Sequence, residues 1–185
     1  MIGAAVALET ERLRLETFSA WHAAPILAYY ERNRAHLEPW EPRRAPEFYT
    51  LAYHEAEIAH AQTAEEYRRF TVFERTGTEV VGIVNLWQIR RGVIQAAILG
   101  YSIDAQRQGR GYAPEAAEAV IGYAFRVLRL HRIEAGYQPA NERSGRVLRK
   151  LGFVVEGYAR DYLNYGDGWR DHILTALINH DWDSG

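Results

Sequence analysis

Gln106-Arg107-Gln108-Gly109-Arg110-Gly111-Tyr112-Ala113 decides the fold. The apolar run Ala96–Ile103 precedes it and a helical pattern, Pro114–Leu130, follows. A strand that ends in a glycine-rich turn and passes into a helix presents that helix's unpaired first amides to a ligand. They lie at the positive end of the helix dipole. Gly109 and Gly111 let the backbone come close with no Cβ in the way. A pyrophosphate suits such a turn, so the chain reads as a binder of a phosphorylated cofactor. The other reading is a helix-entry turn with nothing bound. The stretch is neither a dinucleotide fingerprint, for want of a third glycine in register, nor a P-loop, for want of Gly-Lys-Ser/Thr.

Working outward, Thr10–Thr17 alternates, with Leu13 and Leu15 on one side, and predicts a half-buried strand. Trp21–Asn33 predicts a helix with Ile26, Leu27 and Tyr30 on one face. The two prolines of Leu37-Glu38-Pro39-Trp40-Glu41-Pro42 exclude regular helix, and Leu51–Tyr67 returns to a helical pattern. Phe70–Glu74 and Val80–Ile89 read as strands, the second apolar on both faces and therefore central. Ala117, Val120, Ile121, Ala124 and Leu128 form the stripe of the helix after the turn. His131–Tyr137 is a strand, Asn141 caps a helix to Leu151, and Gly152 stands where a C-terminal glycine should. Val154–Tyr165 and Trp169–Ile178 form a hairpin through Gly166-Asp167-Gly168. The order implies an α/β (α+β) chain, a mixed sheet covered by helices.

At 185 residues with no dividing linker, residues 1–185 read as one domain. The net charge of −2 gives no global pull toward nucleic acid or an anionic membrane. Met1–Leu8 is apolar but short, and Glu9, Glu11, Arg12 and Arg14 follow at once, so it reads as neither signal nor span. The absence of cysteine excludes disulfides, thiolate metal sites and a cysteine nucleophile, and suits a reducing cytoplasm. The seven histidines show no metal-ligand spacing, and the His54/His60 pair reads as surface.

Gln-x-x-Gly-x-Gly after Leu99-Gly100-Tyr101-Ser102-Ile103 resembles the acyl-CoA site of the GNAT superfamily of N-acetyltransferases. Leu8–Leu15, Leu37–Pro42, Asn141-Glu142-Arg143-Ser144, Leu151-Gly152-Phe153, Gly157–Leu163 and Trp169–Leu177 resemble its RimJ/RimL branch, nearly the whole chain being covered. The resemblance implies a GNAT fold: a mostly antiparallel sheet of about seven strands flanked by helices, with a splayed V between the fourth and fifth. It implies acetyl-CoA as cosubstrate, with its pyrophosphate on the amides of Gln108 to Tyr112 within the turn Gln106–Ala113. Arg107 and Arg110 could touch its phosphates, or be simply solvated. The pantetheine would lie along Leu99, Gly100, Tyr101 and Ile103, and an amide near Leu99 to Tyr101 would polarise the thioester carbonyl. Gly100 fits close approach or a simple bulge. Asn141 would also bond the pantetheine, and Ser144 would supply a proton to the leaving thiolate.

The implied acceptor is the N-terminal α-amine of a protein, a ribosomal protein beginning with alanine; the rivals are a small amine, polyamine or aminoglycoside, or a CoA-binding module without catalysis. Branch members use a glutamate base on the strand after the last helix, but the matching position is Leu163. Glu41, Asp161, Tyr162 and His172 are the candidates in its place, Glu41 first because Trp40 and the prolines would fix it at the acceptor mouth. Trp40 is either a core anchor or a wall for the acceptor. No metal, membrane or nucleic-acid partner is implied, and the branch includes monomers and homodimers.

Overall fold

The computed structural model describes residues 5–183. Eight strands form one sheet in the order β1-β2-β3-β4-β5-β6-β8-β7. They are β1 (Ala7–Glu9), β2 (Leu13–Thr17), β3 (Arg68–Glu74), β4 (Val80–Arg90), β5 (Ala96–Ile103), β6 (Arg132–Tyr137), β7 (Val154–Asn164) and β8 (Trp169–Ile178). Four helices accompany them: α1 (Ala23–Leu37), α2 (Leu51–Thr63), α3 (Tyr112–Arg126) and α4 (Glu142–Lys150). Every neighbouring pair is antiparallel except β5 with β6.

The count of eight corrects the expected seven. The opening stretch is a hairpin rather than one strand, because Thr10 closes a turn: its N–H donates to the Leu13 carbonyl at 2.9 Å, and its Oγ1 accepts from the Leu13 N–H at 2.9 Å. Residues 1–4 of the apolar opening Met1–Leu8 lie outside the described residues. The remaining boundaries move by a few residues. α1 runs on to Leu37, and Tyr29 rather than Leu27 fills its buried face. α3 ends at Arg126, so Leu128 packs from beyond the helix.

The sheet separates two cores. On one side α1, α2 and the turn between them pack Ile26, Tyr29, Tyr30, Ile58 and Phe48 against Phe73, Val80 and Ile83. On the other, Ala116, Ala117, Val120 and Ala124 of α3 and Leu148 of α4 meet Leu13, Leu15, Phe70, Val84, Leu86 and Ile133. Each fully buried Val, Leu, Ile or Phe side chain here contributes about 1.5–3 kcal/mol. His54 corrects the surface reading: it is 4% exposed, and its ring stacks 5.7 Å from Tyr30.

The parallel pair β5–β6 is what matters for function. Ala96, Ala97 and Ile98 face Arg132, Ile133 and Glu134, and there the pairing stops. β6 stays paired with β8 to Tyr137, whereas Leu99–Ile103 keep only β4 as a partner. The two strands therefore diverge toward their C-terminal ends in the expected V. An ion-pair chain, Arg90–Glu134–Arg132–Glu156, ties β4, β6 and β7 together near its closed end.

Candidate active site

The V opens beside the turn that follows β5. Asp104 follows that strand and is buried, and its carboxylate accepts from Arg32 Nε at 2.7 Å, Asn33 Nδ2 at 3.1 Å and the Gln106 N–H at 2.9 Å. Although burial raises its pKa, these donors hold it below the usual carboxylate value. The turn is thus anchored to α1. Gly109 and Gly111 then take φ of +74° and +81°, the left-handed region that glycine enters without strain. Gly111 is the N-cap residue of α3, and no atom lies within 4 Å of where a Cβ on Gly109 would stand. The amides of such a turn and of the first turn of α3 form a cradle that fits a diphosphate.

The turn's polar side chains reach neighbouring elements. Arg107 pairs with Glu79 at 2.5 Å, and Arg110 stands 3.8 Å from Glu74, whose Oε1 also accepts from the Tyr112 hydroxyl at 2.9 Å. Gln108 lies between two helices, with its Nε2 2.7 Å from His36 Nε2 of α1 and its Oε1 accepting from Arg143 of α4. Ala113 continues α3 without reaching out.

Inside the V, α4 faces β5. Asn141 caps α4 as expected: its Oδ1 accepts the Ser144 N–H at 3.1 Å. That cap leaves the Asn141 amide donors for another acceptor. Tyr101 Oη stands 3.0 Å from Ser144 Oγ and 3.2 Å from the Ser144 carbonyl oxygen. Burial raises the Tyr101 pKa to about 12, so the phenol keeps its proton. As a hydrogen-bond donor to Oγ, that phenol leaves the serine O–H free to point at a third atom. Leu99 is buried, Gly100 carries no bulge, and Ile103 pairs with Gly82 at the strand's end. A Cβ on Gly100 would touch the Trp87 ring at 3.4 Å, so close packing on Trp87 is the observed reason for a small residue.

The proposed acceptor residues gather on the β8 side. The loop Glu38–Arg44 is tied there by Gln138 Nε2 to the Pro39 carbonyl at 3.1 Å, and by the Arg43 N–H to the Tyr165 carbonyl at 2.8 Å. Trp40 is half-buried, and its carbonyl lies 3.3 Å from Tyr165 Oη. Glu41 Oε2 accepts from Arg44 at 2.9 Å, and Glu41 lines a cavity of about 200 Å³ with Tyr30, Arg34 and Tyr49.

Tyr165 Oη also lies 3.3 Å from Nε2 of the buried His172, whose Nδ1 is 3.1 Å from the Arg170 carbonyl. A carbonyl only accepts, so Nδ1 carries the proton, and Nε2 competes with the Trp40 carbonyl for the single Tyr165 O–H proton. Burial lowers the His172 pKa, which keeps the ring in that neutral form.

Asp161 and Tyr162 sit on a bulge of β7 between Ala159 and Leu163, where Asp171 accepts the Asp161 N–H at 2.8 Å. Tyr162 is exposed with its ring 5.6 Å from His172, and Leu163 is exposed beside it. The structure thus joins Tyr101, Asn141 and Ser144 in one group, and Trp40 and His172 round Tyr165 in another, with Tyr162 against His172, while Glu41 pairs with Arg44 at the cavity and Asp161 stays on the β7 bulge. Sequence reasoning missed Tyr165, and it missed the hydroxyl of Tyr101 because the partner lies 43 residues away. Among the described residues no group of three or more His, Asp or Glu is placed to hold a metal ion, and no helix is long and apolar enough to cross a membrane.

The glycine-rich turn at the start of α3 lies at the mouth of a V between two parallel strands. The family model of the acetyltransferase (GNAT) domain matches residues 12–154. The chain belongs to that family, and acyl-CoA-dependent N-acetyl transfer is its class of reaction. It is 40% identical to the ribosomal protein uS5-alanine N-acetyltransferase of Escherichia coli, over 97% of this chain and 94% of that protein. The crystal structure of the ribosomal-protein-S5-alanine acetyltransferase from Vibrio fischeri superposes with a TM-score of 0.91 at 36% identity, covering 96% of this chain and 99% of that one. RimJ of Mycobacterium smegmatis, solved with a CoA-disulfide, superposes with a TM-score of 0.87 at 26% identity, covering 98% and 90%.

Proposed function

We propose that this enzyme transfers the acetyl group of acetyl-CoA to the N-terminal α-amine of a protein, a ribosomal protein that begins with alanine. The observation that carries the acceptor is the match over nearly the full length of both chains to the uS5-alanine enzyme. In this reading residues 1–185 are one domain. It works in the cytoplasm, as a monomer or homodimer, on a protein terminus rather than on nucleic acid.

The turn Gln106–Ala113 seats the pyrophosphate. The unpaired edge Leu99–Ile103 and the amide of Asn141 hold the pantetheine, with an amide near Leu99 to Tyr101 polarising the thioester carbonyl. The acceptor enters beside Trp40 and Glu41. An α-amine with pKa near 7.7–8.0 is partly neutral at physiological pH, so a positioned carboxylate is base enough. Glu41 takes that part, with the Tyr165–His172 pair behind it as a second proton acceptor. The neutral amine attacks the thioester carbonyl carbon, a C–N bond forms, and the C–S bond breaks. Ser144, hydrogen-bonded to Tyr101, gives its proton to the departing sulfur and regains one from solvent, to which Glu41 returns the amine proton before the next turnover. Positioning carries this direct transfer, and the chain has no cysteine to form an acyl-enzyme through a thiol.

Arg34, Arg43 and Arg44 outnumber Glu38 and Glu41 around the same cavity, which disfavours a polycationic acceptor. Thiol release from acetyl-CoA with peptides bearing free N-terminal Ala, Ser or Met, beside spermidine and an aminoglycoside, tests the reading. Turnover is expected with the alanine peptide. Turnover with the small amines alone moves the function to a metabolic or detoxifying acetyltransferase. Binding of acetyl-CoA without turnover of any acceptor makes the chain a CoA-binding module.

A further inference from the structure

The opening Thr10-Glu11-Arg12-Leu13 has no part in the steps above, yet it crosses the molecule to the pyrophosphate turn. Arg12 Nη1 donates to the Arg110 carbonyl at 2.8 Å. Its Nε and Nη2 grip Glu115 Oε2 at 2.7 and 2.5 Å, and Glu115 Oε1 accepts from the Arg12 N–H at 3.0 Å and from Thr10 Oγ1 at 2.6 Å. The guanidinium lies 5.1 Å from the centre of the Tyr112 ring, and a Cβ on Gly111 would come within 3.3 Å of Nη2. One side chain from the β1–β2 turn thus touches the carbonyl of the residue between the two glycines and the first turn of α3.

Two consequences follow from elementary geometry and charge. In a trans peptide the C=O of one residue and the N–H of the next point in opposite directions. Drawing the Arg110 carbonyl toward Arg12 therefore aims the Gly111 N–H away from Arg12, out of the turn. Glu115 in the first turn suits the helix dipole, but its charge would repel a diphosphate on the same turn. The two-point pairing with Arg12 offsets that charge locally.

We propose that Arg12 is a positioning residue for the diphosphate of acetyl-CoA: it sets the Gly111 amide outward and neutralises Glu115 beside the bound phosphates. The proposal rests on the reading of Gln106–Ala113 as the diphosphate seat, and the test separates the two. Steady-state kinetics compare acetyl-CoA with acetyl-pantetheine, which lacks the diphosphate and nucleotide, for wild type, Arg12→Ala and Arg12→Lys. Arg12→Ala raises KM for acetyl-CoA about tenfold, the equivalent of about 1.4 kcal/mol. Its kcat stays within about twofold and its KM for acetyl-pantetheine does not change, because only an oriented anion contact is lost. Arg12→Lys falls between the two, since one ammonium cannot reproduce the guanidinium's fork.

Wild-type preference for acetyl-CoA together with an unchanged KM in Arg12→Ala overturns the proposal. So does an equal rise in KM for both donors, which marks a general loss of structure. A wild type that uses the two donors alike overturns the diphosphate seat itself, and the role of Arg12 with it.

Discussion

Ser144 joins three contacts on one residue. Its N–H completes the cap on Asn141, its carbonyl and hydroxyl both meet Tyr101, and it opens α4 toward the V. Replacing it with alanine keeps the cap, which uses only the backbone, and removes the proton source. Ser144→Ala should therefore lower kcat on the order of a hundredfold, the scale of one positioned acid, with KM for acetyl-CoA little moved; thiol release at saturating donor checks it. A kcat within about twofold of wild type would remove Ser144 from proton transfer. At this scale the sequence was legible where partners are close along the chain: the Asn141 cap spans three residues. It was illegible for Arg12 with Glu115, which are 103 residues apart, since nothing local in either segment announces the other.

The strongest local agreement belongs to α4. Gly152 takes φ +87° after the helix, the Phe153 N–H reaches the Leu148 carbonyl at 3.0 Å, and the Gly152 N–H reaches Arg149 at 3.1 Å. That is the paired C-terminal closure that glycine permits, and Gly152 announced it. Gly145 did not announce itself. A Cβ there would stand 2.8 Å from the Tyr137 ring, so α4 lies flush against β6 only because this residue is glycine. Gly145→Ala should push α4 off the strand, destabilise the protein by about 1–3 kcal/mol as overpacking does, and displace Ser144. Thermal melting and kcat should fall together; an unchanged melting temperature would mean the ring moves aside freely. The β1–β2 hairpin was read as one strand because alternation carries on through Thr10–Arg12, and only the Thr10–Leu13 hydrogen bonds reveal the turn.

Over the whole molecule, the helices and most strands followed from apolar periodicity. The V did not, because it depends on where a parallel pairing stops. That came from likeness to a family and is now seen in the register. Two of the three buried histidines among the described residues, His22 and His54, also belong to this scale. Burial, with Arg14 near His22 and Arg69 near His54, lowers both from 6.5 to about 4. The Ser19 N–H points at His22 Nδ1 at 2.9 Å, which requires an unprotonated nitrogen there. Both rings are neutral in the fold, while the unfolded chain protonates them below about pH 6.5. Their contribution is therefore full above that pH and is lost as pH falls toward about 4. The melting temperature should drop across that window, and less so in His54→Leu; a flat profile would contradict the assignment.

The central claim is direct acetyl transfer to an α-amine. The measurement that meets it most directly is intact-mass and fragment-ion analysis of an alanine-starting ribosomal peptide that contains lysines. It would be incubated with enzyme and acetyl-CoA beside the same peptide blocked at its N-terminus. The account predicts one acetyl group, placed on the alanine nitrogen of the free peptide, and none on the blocked one. Acetyl groups on lysine side chains, or equal labelling of both peptides, would contradict it.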